Sequence, residues 1–153
     1  MKKTFLFIIG ILLFNLSFLF SQQLEIKDGI YYKDKKLYTG IHKEYYENGN
    51  LKMELNIVNG LNEGISTYYF ENGKKKEQQS YIKDEKDGLW ISWNENGIKN
   101  AEAHYLKGKK HGIWYIWDEK GILIREMRYE NGEKVGIWKM WDANRILLQE
   151  KKY

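Results

Sequence analysis

The octet KHGIWYIW, Lys110–Trp117, contains a Gly-apolar-Trp triplet that returns as KDGLWISW at Lys86–Trp93 and as KVGIWKMW at Lys134–Trp141. With the glycine as phase zero, copies start at Gly40, Gly64, Gly88, Gly112 and Gly136, an interval of 24 residues each time. Position plus one is Ile41, Ile65, Leu89, Ile113 and Ile137, and plus five is Tyr45, Tyr69, Trp93, Trp117 and Trp141. Strand side chains alternate between faces, so plus one, three and five share a face, while plus two (His42, Ser66, Trp90, Trp114, Trp138) takes the other. The two tryptophans of each late copy therefore belong to opposite faces.

Beyond the plus-five residue the chain reads Glu47-Asn48-Gly49, Glu71-Asn72-Gly73, Glu95-Asn96-Gly97 and Glu119-Lys120-Gly121, and the last copy, Ala143-Asn144-Arg145, loses the glycine. Asn-Gly supplies the positive φ of a tight hairpin turn. A return strand ends at Ile57, Tyr81, Tyr105, Tyr129 and Tyr153, preceded by three residues by Glu54, Gln78, Glu102, Glu126 and Glu150. A second turn holds Gly60, Asp84, Gly108 or Gly132. Each unit is thus a β-hairpin with its link to the next. Glycines recurring at this density, each costing roughly 1 kcal/mol in a helix interior, exclude a helical reading.

Upstream, Ile30-Tyr31-Tyr32, a polar turn over 33–36 and Leu37-Tyr38-Thr39 predict one further hairpin that caps the open edge. The expected fold is all-β: tandem hairpins of period 24 stacked into one elongated, twisted antiparallel sheet. About twelve strands at about 4.8 Å each make it nearly 60 Å long. The expected organisation is a signal peptide at 1–21, a capping hairpin at 22–39 and five repeats at 40–153.

The first segment has the layout of a secretory signal: a basic Met1-Lys2-Lys3, an apolar run from Thr4 to Phe20, and Ser21 as the small residue before a cut ahead of Gln22. The expected destination is outside the cytoplasm: periplasmic, outer-membrane-associated or secreted. The alternative is an uncleaved inner-membrane anchor through residues 4–20, although that run falls short of the roughly 20 residues that span a bilayer. The chain has no cysteine, which excludes disulfides and an acylated-cysteine anchor. Removing 1–21 takes away two lysines and no acids, leaving 23 basic against 21 acidic side chains. That balance gives no electrostatic case for nucleic acid.

The pattern Gly-x-Trp-x-x-Trp/Tyr-x-x-Asn-Gly, with Gly108-Lys109-Lys110-His111-Gly112, resembles the MORN (membrane occupation and recognition nexus) repeat. It is most similar to the bacterial MORN-variant repeat of proteins labelled YwqK-like antitoxins of toxin-antitoxin systems. The resemblance covers Gly40 to Tyr153. It implies stacked hairpins in an elongated sheet and a scaffold that contacts membranes or proteins.

No catalytic constellation stands out. His104 is read on a strand and His111 in the following turn, as a solvated residue in a column that also holds Glu63, Asp87 and Val135, and with His42 they make no metal site. Ser66, Ser80 and Ser92 have no nucleophile-elbow setting. Carboxylates recur in fixed columns, whereas a catalytic pair needs two distinct environments. Nothing has the glycine spacing that cradles phosphate. Lys74-Lys75-Lys76 and the lysines of 107–110 are read as turn and edge charges that block sheet aggregation.

The expected function is a non-catalytic exported scaffold for protein-protein or membrane-surface contact in the cell envelope, of antitoxin or immunity type. It needs no cofactor and no metal, and its partner is an unknown protein or a membrane surface. Trp90, Trp114 and Trp138 are the expected contact strip, since exposed aromatics mark such surfaces. The alternative is an envelope-glycan-binding protein or hydrolase.

Overall fold

The computed structural model describes residues 24–153, so the expected signal segment and its cleavage site lie outside the described residues. Fifteen strands and no helix are present among those residues. Three short strands, β1 (Glu25–Lys27), β2 (Ile30–Lys33) and β3 (Lys36–Leu37), form a small sheet of their own. The rest build one antiparallel meander: β4 (Gly40–Tyr45), β5 (Leu51–Val58), β6 (Leu61–Asn62) with β7 (Gly64–Tyr69), β8 (Lys75–Ile82), β9 (Glu85–Lys86) with β10 (Gly88–Trp93), β11 (Lys99–Leu106), β12 (Lys109–Trp117), β13 (Leu123–Glu130), β14 (Glu133–Trp141) and β15 (Leu147–Lys152).

The tandem-hairpin reading is therefore what the chain adopts. The main sheet has twelve strands, as expected, but the N-terminal strands are not among them and do not extend the ladder. They dock against the first repeat's link, where Tyr31 N–H donates to Gly60 O (2.9 Å) and Gly60 N–H donates to Tyr38 O (2.7 Å).

The phase-zero glycine creates an offset in the ladder. His111 faces His104 and Tyr115 faces Glu102, so Gly112, Ile113 and Trp114 together oppose the single residue Ala103. Gly64, Gly88, Gly112 and Gly136 adopt φ of +75°, +86°, +69° and +67°, in the left-handed region that a side chain resists. This bulge turns the plus-two residue back over the preceding strand. On either side of it the registers pair Gly112 with Tyr129, Trp114 with Met127 and Ile116 with Arg125, so the even phases share one face as expected.

The two turn types sit at opposite ends from the simplest reading. Asn48 has no positive φ; only Gly49 does (+83°), closing a three-residue loop in which Gly49 N–H donates to Tyr46 O (2.9 Å) and Tyr46 N–H to Asn50 O (2.8 Å). This is a turn followed by a left-handed residue. Both central residues are left-handed at the second turn instead: Asn59-Gly60, Lys83-Asp84, Lys107-Gly108 and Asn131-Gly132. That is the two-residue hairpin geometry.

Both ends also bond from rung to rung. Gly108 N–H donates to Lys86 O and Gly132 N–H to Lys110 O, each at 2.8 Å. At the other end the side-chain amides of Asn48 and Asn72 donate to Glu71 O (3.1 Å) and Glu95 O (3.0 Å).

In the fifth copy Arg145 takes the left-handed place of the missing glycine, at φ +63°. The turn is otherwise retained, with Arg145 N–H donating to Asp142 O (3.0 Å). An L side chain there costs about 1 kcal/mol, partly offset by the freedom glycine adds to the unfolded chain. Arg145→Gly is accordingly expected to leave thermal stability unchanged or to raise it by up to about 1 kcal/mol; a clear loss in a melting experiment would contradict this turn geometry.

Candidate functional site

On the even face, every second ring of one column is a tryptophan. Tyr81, Trp90, Tyr105, Trp114, Tyr129, Trp138 and Tyr153 follow one another with centroid separations of 5.3, 5.1, 5.2, 5.1, 5.1 and 4.7 Å, all inclined rather than parallel. Such tilted contacts suit the ring quadrupoles. The bulge brings each indole N–H onto a carbonyl of the preceding strand: Trp90 to Ser80 O (2.9 Å), Trp114 to His104 O (3.0 Å) and Trp138 to Arg128 O (3.0 Å).

In the three tryptophan copies a lysine two residues before the glycine lies over the same rings. Lys86 Nζ is 4.3 Å from the Trp90 centroid, Lys110 4.5 Å from Trp114 and Lys134 4.7 Å from Trp138. Lys110 was expected to be an edge charge; it is instead a cation seated on an indole. Trp90, Trp114 and Trp138 thus stand in one column, half-buried, with their indole N–H groups bonded inside the sheet.

The column is finished differently at the N-terminal end. Ser66 stands where a tryptophan would be and is 1 % exposed. Tyr31 of β2 enters this region, its ring 6.3 Å from that of His42. Here Leu55 and Ile57 are the most buried side chains. Burial, followed by the nearby Asp84 and Glu44 carboxylates, raises the Tyr31 phenol above its ordinary value, even against a hydrogen bond with Asn62. Burial chiefly, with Tyr68, Asp84, Glu77 and Tyr31 adding to it, pushes the Tyr81 phenol up to about 12. Tyr105 and Tyr129 are raised by burial as well.

The unfolded chain would release these protons near 10.0, before the folded one does. The phenols' contribution to stability is therefore intact below about pH 10 and is lost as pH rises through their raised folded values, which for Tyr81 is about 12. Urea midpoints measured from pH 8 to 12 should be level at first and then fall; a flat profile to pH 12 would contradict the burial of the column.

The odd face carries the plus-five column. Tyr115 and Trp117 are in tilted contact at 5.7 Å, but successive plus-five rings lie two strands apart, about 10 Å. Cations occupy some of the intervals. Lys75 Nζ is 5.9 Å from the Trp93 ring, and Lys99 Nζ is 4.5 Å from the Trp117 ring while pairing with Glu102 at 2.7 Å. Unlike the even-face indoles, Trp93, Trp117 and Trp141 donate no hydrogen bond among the described residues.

The histidine placement also needs correcting. His111 lies within β12, half-buried, and not in a turn; it is the cross-strand partner of His104, whose Nε2 is 3.9 Å from Glu102. Glu63 and Asp87, which hold the same phase, interrupt their strands and accept the amides of Lys83 (2.8 Å) and Lys107 (2.9 Å), a bond for which the histidine provides no carboxylate. Among the described residues no group of three acidic, histidine or cysteine side chains is placed to hold a metal ion.

The repeat unit is now defined by its glycine bulge, its stacked ring and its two turns. The model of one repeat family matches it at residues 38–59, 62–83, 86–107 and 110–131, more than half of the chain. The chain belongs to the MORN repeat variant family. Each match begins two residues before the phase-zero glycine, at the phase where Lys86 and Lys110 cover their indoles. A fifth rung, β14 with β15, continues the MORN geometry beyond the matched segments. The search of curated proteins found no match. MORN repeats are in general modules that bind proteins or membranes. Among the described residues no helix is long and apolar enough to cross a membrane.

The lysine column was missed by sequence reasoning although its signal was present. Aligning the phase two before the glycine gives Tyr38, Asn62, Lys86, Lys110 and Lys134, lysine only in the copies that carry a plus-two tryptophan.

Proposed function

We propose that this MORN repeat chain is a non-catalytic, exported interaction module that presents its ladder to a protein partner in the cell envelope. The observation that carries the reading is the single-layered sheet. Leu55, Ile57, Tyr129 and Ser66 are the buried side chains among the described residues, so both faces stay available for contact. The half-exposed rings of Trp90, Trp114 and Trp138 form one strip and the plus-five rings a second. Resemblance to YwqK-like antitoxins supports an immunity-type role, with the partner met outside the cytoplasm.

Export is tested by sequencing the N-terminus of protein recovered from a Gram-negative host. The expected first residue is Gln22 or a close neighbour, and an intact Met1 on soluble cytoplasmic protein would reject export. For binding, the immobilised mature chain is challenged with native envelope extract and with anionic vesicles. One protein retained in stoichiometric amount, and released by free chain, supports the reading. Retention of vesicles alone would replace the protein partner by a membrane surface, and turnover of an envelope glycan by the pure chain would overturn the non-catalytic assignment.

A further inference from the structure

The interval between Trp117 and Trp141 differs from the one before it. The strand residue facing Trp93 is Lys99, which reaches over the Trp117 ring and is neutralised by Glu102. The equivalent residue facing Trp117 is Leu123. The space between the Trp117 and Trp141 indoles is therefore not filled by a paired cation. It is a hollow of about 340 Å³ lined by Trp117, Gly121, Leu123, Trp141 and Arg145.

Arg145 is the second anomaly, and it falls on the same spot. Four copies place glycine at this phase (Gly49, Gly73, Gly97, Gly121), and the fifth places arginine in the same left-handed conformation. Arg145 is also one of the five residues that line the hollow, and the one cationic residue among them. Among the described residues no carboxylate pairs with it.

We propose that this slot is a binding site for a polypeptide segment carrying an aromatic side chain next to a carboxylate. The two indoles and Leu123 take the ring, and the planar guanidinium takes the carboxylate through paired N–H donors. Gly121 lines the slot with backbone alone. The unspent indole N–H groups of Trp117 and Trp141 remain to bond the segment's carbonyls, whereas those of Trp90, Trp114 and Trp138 are already committed to the sheet. Charge complementarity selects the occupant: an apolar slot with one uncompensated cation favours an acidic segment over a neutral one. The choice of a polypeptide rests on the interaction-module reading.

The test uses the full mature chain, the six indole N–H resonances, and a blocked pentapeptide alternating aspartate with phenylalanine. The asparagine counterpart serves as neutral control. The acidic peptide is expected to shift the Trp117 and Trp141 indoles selectively and to bind about tenfold more tightly than the control, as a charge-assisted pair contributes. Arg145→Gly, which preserves the turn, should abolish the tenfold preference. Arg145→Lys should restore it in part, since an ammonium keeps the charge without the fork.

Equal affinity for both peptides, or shifts confined to other indoles, would overturn the slot. So would the same Arg145-dependent binding of a uronic-acid oligosaccharide in place of the peptide. If the slot fails while the chain still retains a stoichiometric envelope protein, the interaction-module reading stands and its contact surface lies elsewhere.

Discussion

Trp114→Ser is expected to destabilise the chain by about 3 kcal/mol or more, within the range for removing a large aromatic from packed surroundings. Three interactions go together. The ring leaves contacts at 5.2 Å with Tyr105 and 5.1 Å with Tyr129, Lys110 loses the indole beneath it, and His104 O loses its side-chain donor. The second repeat carries serine at this phase, where it is 1 % exposed and no indole stacks. Trp117→Ser is the matched control: that indole touches one ring, Tyr115 at 5.7 Å, and carries Lys99 at 4.5 Å, but it donates no hydrogen bond and has no second ring stacked on it, so its expected cost is smaller, about 1–2 kcal/mol. Urea denaturation of both variants decides the matter. Equal losses would mean that the two columns do the same structural work, contrary to the bonding of their indoles.

The period, the faces and the hairpin assignment were legible because they depend on local rules that repeat. Alternation fixes which side chain faces which way, and five aligned copies average out the exceptions. Two things were not legible. The bulge at Gly112 was invisible because a glycine opening a strand reads as a turn residue; that its positive φ inserts an offset of two residues depends on the pairing with β11. The roles of the two tryptophan columns were invisible because they follow from that offset. Only once Trp114 is carried back over His104 O does it become the committed indole and Trp117 the free one. Arg145 was visible as a break in a glycine column, but its place between Trp117 and Trp141 depends on how successive rungs stack.

Gly112→Val is expected to cost about 2–4 kcal/mol, because strain and crowding act at one position. A β-branched residue is poorly accommodated at φ +69°. The added Cβ would also lie 3.3 Å from the Cβ of His104, close to the backbone of β11, where little can give way. If the chain relieved the strain by adopting an ordinary strand conformation, the offset would vanish and Trp114 would move off His104 O, so escape forfeits the aromatic contact instead. Gly136→Val separates the two contributions. Its φ is +67°, but its nearest neighbour would be the flexible Arg128 side chain at 3.7 Å, so it carries the conformational strain with little crowding and should cost about 1–2 kcal/mol. Melting curves placing Gly112→Val well below Gly136→Val, with both below wild type, are the expected outcome. An unchanged midpoint for Gly112→Val would show that the glycine is not held left-handed and that the rung does not depend on its bulge.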